Sequence, residues 1–585
     1  MKNFYSAERN VQMVLYLLKT YNIKKVIASP GATNVTIVAS MQQDPYFEMY
    51  SCVDERSAAY MAVGMCEESG EPVVLSCTGA TSARNYMPAL TEAFYRKLPI
   101  IAITSTQDES RIGHLIAQVT DRSQQPKDLV VDSVHIQNIR SPRDEWDCNI
   151  KLNKVLQKFR STPGPIHINL ATGMGGGFGV KDLPPTKVIR KYLVGDNLPE
   201  INSEGNIAIF VGSHIQFTEE ELLLIDSFCS VYNAVVLCDH TSSYKGAYRV
   251  MHALIGAQDQ CKYDLSKIDL LIHIGEISGD YDTLNYLKIK RVWRVNPDGA
   301  FRDTFKGCLE KVFEMDEKFF FEFYTQDKHA QEPTYYAKCR AVYEGLVCKL
   351  SNIPLSNIYV ASKLSKVIPP NSVLYLGILN TLRSWNYFEV DKSVSTISNV
   401  GGFGIDGIIS SLVGASQCNS EKLYFGIVGD LSFFYDMNIL GNRHIGSNLR
   451  LIVINNGHGQ EFEMYNHAAA VLGEDVNRYV AAAGHFGKKS KDLVKHYAQD
   501  LGFKYMSAET IEEFESQYQC FVSTDNVDLP ILFEIFTTNL DENKALQLSR
   551  SIEISTDFDL DLQVKKIVRK MLGENGIKIL RSILK

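Results

Sequence analysis

The chain has 585 residues, 45% of them hydrophobic and 22% charged, with a formal net charge of −8. That length suffices for about three or four ordinary domains, and the composition is that of a globular protein. The negative balance excludes a nucleic-acid footprint. No apolar run approaches the roughly 20 residues that span a bilayer, and Met1-Lys2-Asn3-Phe4-Tyr5 opens no signal-peptide core. The 12 cysteines include no C-x-x-C pair, which predicts reduced, buried thiols and a cytoplasmic protein that contacts neither membrane nor nucleic acid.

The first third alternates strand and helix patterns. Lys25 to Ala28 reads as a strand, followed by the turn Ser29-Pro30-Gly31 and a helix near Val35 to Met41. A strand near Met49 to Cys52 leads into a helix from Glu55 to Glu68; Pro72 to Ser76 and Ile100 to Thr104 are buried strands. This alternation predicts a parallel sheet with helices on both faces, closing near Pro165 to Asn169, and a first domain over 1–172. Residues 173–187 are Gly- and Pro-rich and read as a linker. No Gly-Lys-Ser/Thr follows these glycines, so they form no phosphate loop.

A second α/β domain is expected over 188–350, with strands at Ile207 to Val211, Ala234 to Leu237 and Leu270 to Ile274. Gly212-Ser213-His214 is too poor in glycine for a dinucleotide fingerprint, so neither FAD nor a nicotinamide is expected there. A third domain over 351–585 has strands at Val373 to Leu376, Leu423 to Val428, Leu449 to Ile454 and Pro530 to Glu534. It looks like a second version of the first domain's plan. The tail from Val564 to Lys585 has a basic amphipathic pattern, broken at Gly573 and Gly576, and reads as a helix packed on the body. The fold class is therefore α/β, with three doubly wound parallel-sheet domains.

Asp430 follows an apolar run, which places it at the carboxyl end of a strand, where open parallel sheets bind ligands. Ser432 to Leu440 is a helix start whose free N–H groups would meet phosphate oxygens. Asn456 lies 26 positions on (456 − 430), at the end of the next strand, so one crossover sets the two side chains side by side. A carboxylate, an amide oxygen and the backbone carbonyl near His458 are three hard ligands for a magnesium ion that also holds a diphosphate. Taken singly, Asp430 also reads as an N-cap and Asn455-Asn456-Gly457 as a turn. The pairing of the two motifs at crossover spacing is what favours the metal site. Glu55, 375 residues upstream (430 − 55), is the other candidate; alone it reads equally as a first-turn acid on a helix dipole.

These residues are similar to a known pattern. Gly429-Asp430-Leu431-Ser432 and Asn455-Asn456, with Asp54-Glu55-Arg56-Ser57-Ala58, Met87-Pro88-Ala89-Leu90, Ser398-Asn399-Val400-Gly401 and Gly404-Ile405-Asp406-Gly407, resemble the thiamine-diphosphate decarboxylases and carboligases. Among these the chain looks most like the menaquinone-pathway synthases that join decarboxylated 2-oxoglutarate to isochorismate. The resemblance covers nearly the whole chain. It implies thiamine diphosphate and Mg2+ as cofactors, with a pyrimidine-binding, a central and a diphosphate-binding domain. It also implies a homodimer or homotetramer whose active site takes Glu55 from one subunit and Asp430 from the other.

By the same resemblance, Glu55 holds the aminopyrimidine nitrogen and is the catalytic residue. Ile405 props the cofactor and Gly401 lies at its exocyclic amine. Gly429, Asp430, Leu431, Ser432, Asn456 and His458 form the diphosphate–metal cradle. His114 and Gln118 fall where relatives contact donor or acceptor, Arg111 is close by and could hold a carboxylate, and Arg383 matches a family arginine; for His114 a plain surface-loop role is equally open.

Departures concern the substrate. Ala32 follows Ser-Pro-Gly where isochorismate users carry an arginine close by, and Val400 replaces the arginine of Ser-Asn-Arg-Gly. Valine cannot clamp a carboxylate bidentately. The expectation is a carboligase that decarboxylates a small 2-oxo acid and transfers the acyl unit to an acceptor other than isochorismate. A simple decarboxylase, or a menaquinone-pathway synthase with a rebuilt clamp, are the alternatives.

Overall fold

The computed structural model of the chain describes residues 4–122, 124–173, 177–202, 204–259, 265–485, 489–525 and 528–552, with 567 and 571. The helical tail expected from Val564 to Lys585 falls outside the described residues apart from those two positions, as do 174–176 of the linker. Two compact units are present: Met1–Asp196 with Gly299–Glu314, and Asn197–Asp298 with Met315–Lys585.

In the first unit, β1 (Lys25–Ala28), β2 (Glu48–Ser51), β3 (Val73–Cys77), β4 (Ile100–Thr106), β5 (Asp132–Ile136) and β6 (Ile166–Ala171) form a parallel sheet in the order β2-β1-β3-β4-β6-β5. Strands β3, β4 and β6 are buried along their whole length, as expected where helices cover both faces. One face packs on the helices Arg9–Thr20 and Pro142–Ser161 through Leu15, Leu18, Leu152 and Val155. On the other face lie Glu55–Ser69 and Met87–Arg96, where Ala58, Ala59, Ala62 and Ala93 let the backbones come close. A parallel pair, Arg190–Leu193 with Leu309–Glu314, also belongs to this unit.

Among the described residues the second unit holds two large sheets and a two-stranded parallel pair, Lys267–Ile268 with Lys288–Ile289. β7 (Ile207–Val211), β8 (Val235–Cys238), β9 (Arg249–Met251), β10 (Leu270–Ile274) and β11 (Val292–Val295) run parallel with β7 central, flanked by β8 then β9 on one side and β10 then β11 on the other. At the reversal of strand order the Gly212 N–H donates to the Ile274 carbonyl (3.0 Å) and the Glu276 N–H to the Ser213 carbonyl (2.8 Å).

The other sheet contains β12 (Val373–Leu376), β13 (Ser395–Ile397), β14 (Tyr424–Gly429), β15 (Leu449–Asn455), β16 (Lys504–Ala508) and β17 (Ile531–Phe536), in the order β13-β12-β14-β15-β17-β16. Ranked along the chain, this is the order of the first sheet, 2-1-3-4-6-5, with every pair parallel. The first and last thirds thus repeat one topology, and in both the order reverses between the first and third strands. Among the described cysteines none is in a disulfide; six are buried, whereas Cys348, Cys418 and Cys520 are exposed, so the expectation of buried thiols holds only in part. Among the described residues no helix is long and apolar enough to cross a membrane.

Candidate functional site

The apolar strand β14 ends at Gly429, an extended residue that serves as the N-cap of the helix Asp430–Asp436. Asp430 is therefore the first helical residue rather than the last strand residue. A single crossover leads to β15, which lies beside β14 in parallel register, Gly429 opposite Ile454. The Gly457 N–H donates to Asp430 Oδ2 over 2.9 Å, so the ends of the two strands are joined through the aspartate. The His458 N–H reaches Asn456 Oδ1 at 3.3 Å. Sequence spacing thus brings Asp430, Asn456 and the His458 backbone to one place.

Asp430 is buried and, among the described residues, has no ion-pair partner. Loss of hydration pushes its carboxyl up to about 7, against the lowering pull of the Leu431 and Gly457 N–H groups. A buried carboxylate of this kind, next to an amide oxygen and a main-chain carbonyl, is a hard-oxygen donor set of the type that suits magnesium. Among the described residues no group of three or more His, Cys, Asp and Glu side chains gathers to hold a metal. The set expected from the sequence contains only one such side chain. A Cβ at Gly401, Gly402 or Gly429 would meet nothing within 4 Å, so the backbone there faces open space. The residues present fit a magnesium–diphosphate group.

Supports behind this edge are explicit. Glu534 accepts from Asn455 Nδ2 (2.6 Å) and from the Tyr505 hydroxyl (2.8 Å), and burial raises its own pKa. Ser432 donates through Oγ to the Ile405 carbonyl, tying the cradle helix to the Gly404–Gly407 turn. Asp436 Oδ2 accepts the Ser410 N–H at 2.7 Å, near the start of the helix Ile408–Ser416. The His458 ring, left without a role by the sequence, is held by Gln460 Oε1 at 3.0 Å.

In the first unit Glu55 is the first residue of its helix, behind Asp54, whose carboxylate caps the Ser57 N–H at 2.8 Å. The Glu55 side chain is half-exposed and accepts one long hydrogen bond, 3.4 Å, from Asn85 Nδ2. It stands within electrostatic range of Cys77, at the end of β3, and of buried Tyr86. Asn85 and Tyr86 were not singled out from the sequence; their register on the segment after β3 was the available signal.

The proposed substrate residues are less gathered. Arg111, His114 and Gln118 lie on an exposed loop, with Leu115 and Gln118 in the left-handed region. Arg111 Nη1 donates to Gln107. Arg383 is already engaged: both terminal nitrogens donate to Glu461, each at 3.0 Å. Val400 is buried, and a Cβ on Gly279 would lie 2.5 Å from its Cγ1.

Residues 9–129 match the family model described as thiamine pyrophosphate enzyme, N-terminal TPP binding domain. Along most of its length the chain is similar to proteins named 2-succinyl-5-enolpyruvyl-6-hydroxy-3-cyclohexene-1-carboxylate synthase. The protein from Phocaeicola vulgatus is 30% identical over 93% of this chain and 98% of its own. That from Bacteroides fragilis is 28% identical with the same coverage. That from Flavobacterium johnsoniae is 26% identical over 92% of this chain and 97% of its own.

Proposed function

Since this chain belongs to the thiamine-diphosphate-dependent enzymes, we infer that it is a magnesium-dependent carboligase that decarboxylates a 2-oxo acid and transfers the acyl unit to an acceptor. The observation that carries this reading is the pairing of buried Asp430 with Asn456 and the His458 main chain at the ends of adjacent parallel strands.

When bound, thiamine diphosphate supplies the carbanion that attacks the 2-oxo acid and the electron sink for decarboxylation. Asp430, Asn456 and the His458 carbonyl would hold the magnesium ion. Gly429, Leu431 and Ser432 would offer the diphosphate the N–H groups of a helix start. Ile405 and Gly401 would hold the thiazolium and aminopyrimidine in their reactive relation. Glu55 would hold the proton at the aminopyrimidine nitrogen, the residue's one direct part in the chemistry.

Glu55 and Asp430 come from different subunits in this reading, in a homodimer or a pair of homodimers. Exposed apolar residues beside Glu55 support it: Val53 is 77% exposed, Tyr60 47% and Met61 38%, the kind of surface a second copy would cover.

For the substrate pair, the similarity over nearly the full length of both chains to synthases named for a 2-succinyl cyclohexene carboxylate favours the reading the family resemblance implies: a succinyl unit from 2-oxoglutarate added to isochorismate, with the carboxylate clamp rebuilt. The second reading, a different acceptor, rests on Ala32 and on buried Val400, which leave those two positions without a cation. One experiment separates them. The purified chain with thiamine diphosphate and Mg2+ is given 2-oxoglutarate with and without isochorismate, then a panel of other 2-oxo acids, with carbon dioxide and coupled products measured. Coupling to isochorismate establishes the first reading. Carbon dioxide release with no isochorismate adduct moves the protein to the second, and accumulation of free aldehyde alone makes it a decarboxylase.

A further inference from the structure

Arg122 is 5% exposed, and its Nε, Nη1 and Nη2 are buried without a hydrogen-bond partner among the described residues. Leaving a charged fork so is costly, and native structures rarely do it without a reason. The strongest electrostatic influences on it are the Cys77 thiol and a second cation, Arg84; burial and Arg84 both push its pKa down. The guanidinium lies against the backbone that follows β3. A Cβ on Gly79 would lie 3.0 Å from Arg122 Nη1 and from the Ser105 carbonyl, so the guanidinium packs closely on the glycine backbone.

The arginine faces a cavity of about 40 Å³ inside the first unit, whose walls include Arg84, Tyr86, Thr104, Gln125 and His167. One water needs about 10–15 Å³ by this measure, so the space takes a few waters or a ligand of a few heavy atoms. His167 is no counter-ion. Its ring nitrogens are held by Thr104 Oγ1 (2.8 Å) and Ser133 Oγ (2.9 Å), and burial keeps it neutral, with its pKa pushed down to about 3. Asp121 lies in the wall as an exposed residue.

We propose that this cavity is a binding site for a small carboxylate, with Arg122 as the bidentate anchor and Arg84 as a second cation at its wall. A planar guanidinium with no partner, in a space the size of a carboxylate group, is complementary to that anion in charge, shape and donor geometry. Two sources share the chemistry: the acid group of the 2-oxo acid substrate, or a free carboxylate that binds apart from it. The site itself rests on the first unit alone; only its identification with the substrate rests on the thiamine-diphosphate reading.

The test begins with thermal unfolding of the full natural chain in a buffer free of small anions, titrated with formate and acetate. The Tm of the natural chain is expected to rise in equal steps per tenfold of formate above its Kd. Arg122→Met should show no rise and, without formate, should unfold no lower than the natural chain. No rise for the natural chain, or an equal rise for Arg122→Met, overturns the proposal. Should Arg122→Met not fold, Arg122→Lys keeps the charge without the fork. Its formate affinity should fall by about 10- to 100-fold, and an unchanged affinity overturns the bidentate assignment.

Carbon dioxide release with thiamine diphosphate and Mg2+ identifies the source. If formate competes with the 2-oxo acid, and Arg122→Lys raises KM while sparing kcat, the ligand is the substrate's own carboxylate. If formate stabilises the protein without competing, the site binds a separate anion. If no 2-oxo acid turns over, the functional reading fails while the thermal titration still decides the site.

Discussion

Glu55→Gln separates a structural from a chemical role. The structure gives Glu55 little to do for stability. It is half-exposed, its one hydrogen bond is 3.4 Å long, and as a first-turn acid it gains about 0.3–1 kcal/mol from the helix dipole. The cap of that helix is Asp54, which the substitution leaves intact. The first unit comprises Met1–Asp196 and Gly299–Glu314, or 212 residues (196 + 16), and at that size about 1 kcal/mol moves Tm by roughly 2–4 °C. Glutamine should therefore cost the fold no more than that. If Glu55 holds the reactive proton, its loss should slow turnover by about 10²- to 10⁴-fold, or roughly 3–5.5 kcal/mol of barrier. The assay pairs carbon dioxide release from the preferred 2-oxo acid with a melting curve on the same preparation. A rate within tenfold of the natural chain refutes the catalytic assignment. A Tm drop well beyond 4 °C refutes the claim that the residue is structurally idle.

Asp430→Asn retains an oxygen for the Gly457 N–H and should fold, yet it should weaken Mg2+-dependent cofactor binding by more than the ~10–100-fold that outer-shell partners cost, as calorimetry would register. Chelation of Mg2+ should abolish turnover in the natural chain, and added Mg2+ should restore it. Breaking the pair with Arg383→Met or Glu461→Gln, side chains 14% and 20% exposed, should each destabilise the second unit by about 3–5 kcal/mol in urea unfolding; a KM change without that loss would instead make Arg383 a substrate anchor. His167 has a folded pKa of about 3, below its ordinary value of 6.5, so its stabilising contribution is whole above pH 6.5 and fades as pH falls toward 3. His167→Gln should start less stable but lose about 1.4 kcal/mol less per pH unit across that window, which paired denaturant titrations at pH 7.5 and 5 would measure.

The sequence was legible where burial writes a strong pattern. β7, β10 and β12 lie where their apolar runs begin and end. Of the strands that went unread, β5, β9, β13 and β16 are short or carry polar residues such as Asp132, His135, Arg249 and Lys504, and sit at sheet edges where one side needs no partner, whereas β11 is buried along its length but short and interrupted by Arg294. Asp430 and Asn456 were readable because a strand end and a crossover length are both written locally. Arg122 was not: it belongs to a polar stretch with no periodicity, and only tertiary packing shows its nitrogens to be buried without partners.

The same contrast bears on substrate choice. Cofactor residues sit on the ends of regular strands, where a parallel sheet constrains them, and there the family pattern survives. The clamp positions are set by packing, and there it fails. Val400 is buried, and its Cγ1 lies so near Gly279 that a Cβ there would come within 2.5 Å of it. Arg383 persists, but Glu461 occupies it. Among the described residues Arg122 alone has all three guanidinium nitrogens buried without a partner. A substrate acid group anchored away from the loop residues Arg111 and His114 would find a complementary charge there. An Arg122→Lys change in KM would then show that Arg122 anchors the substrate's acid group.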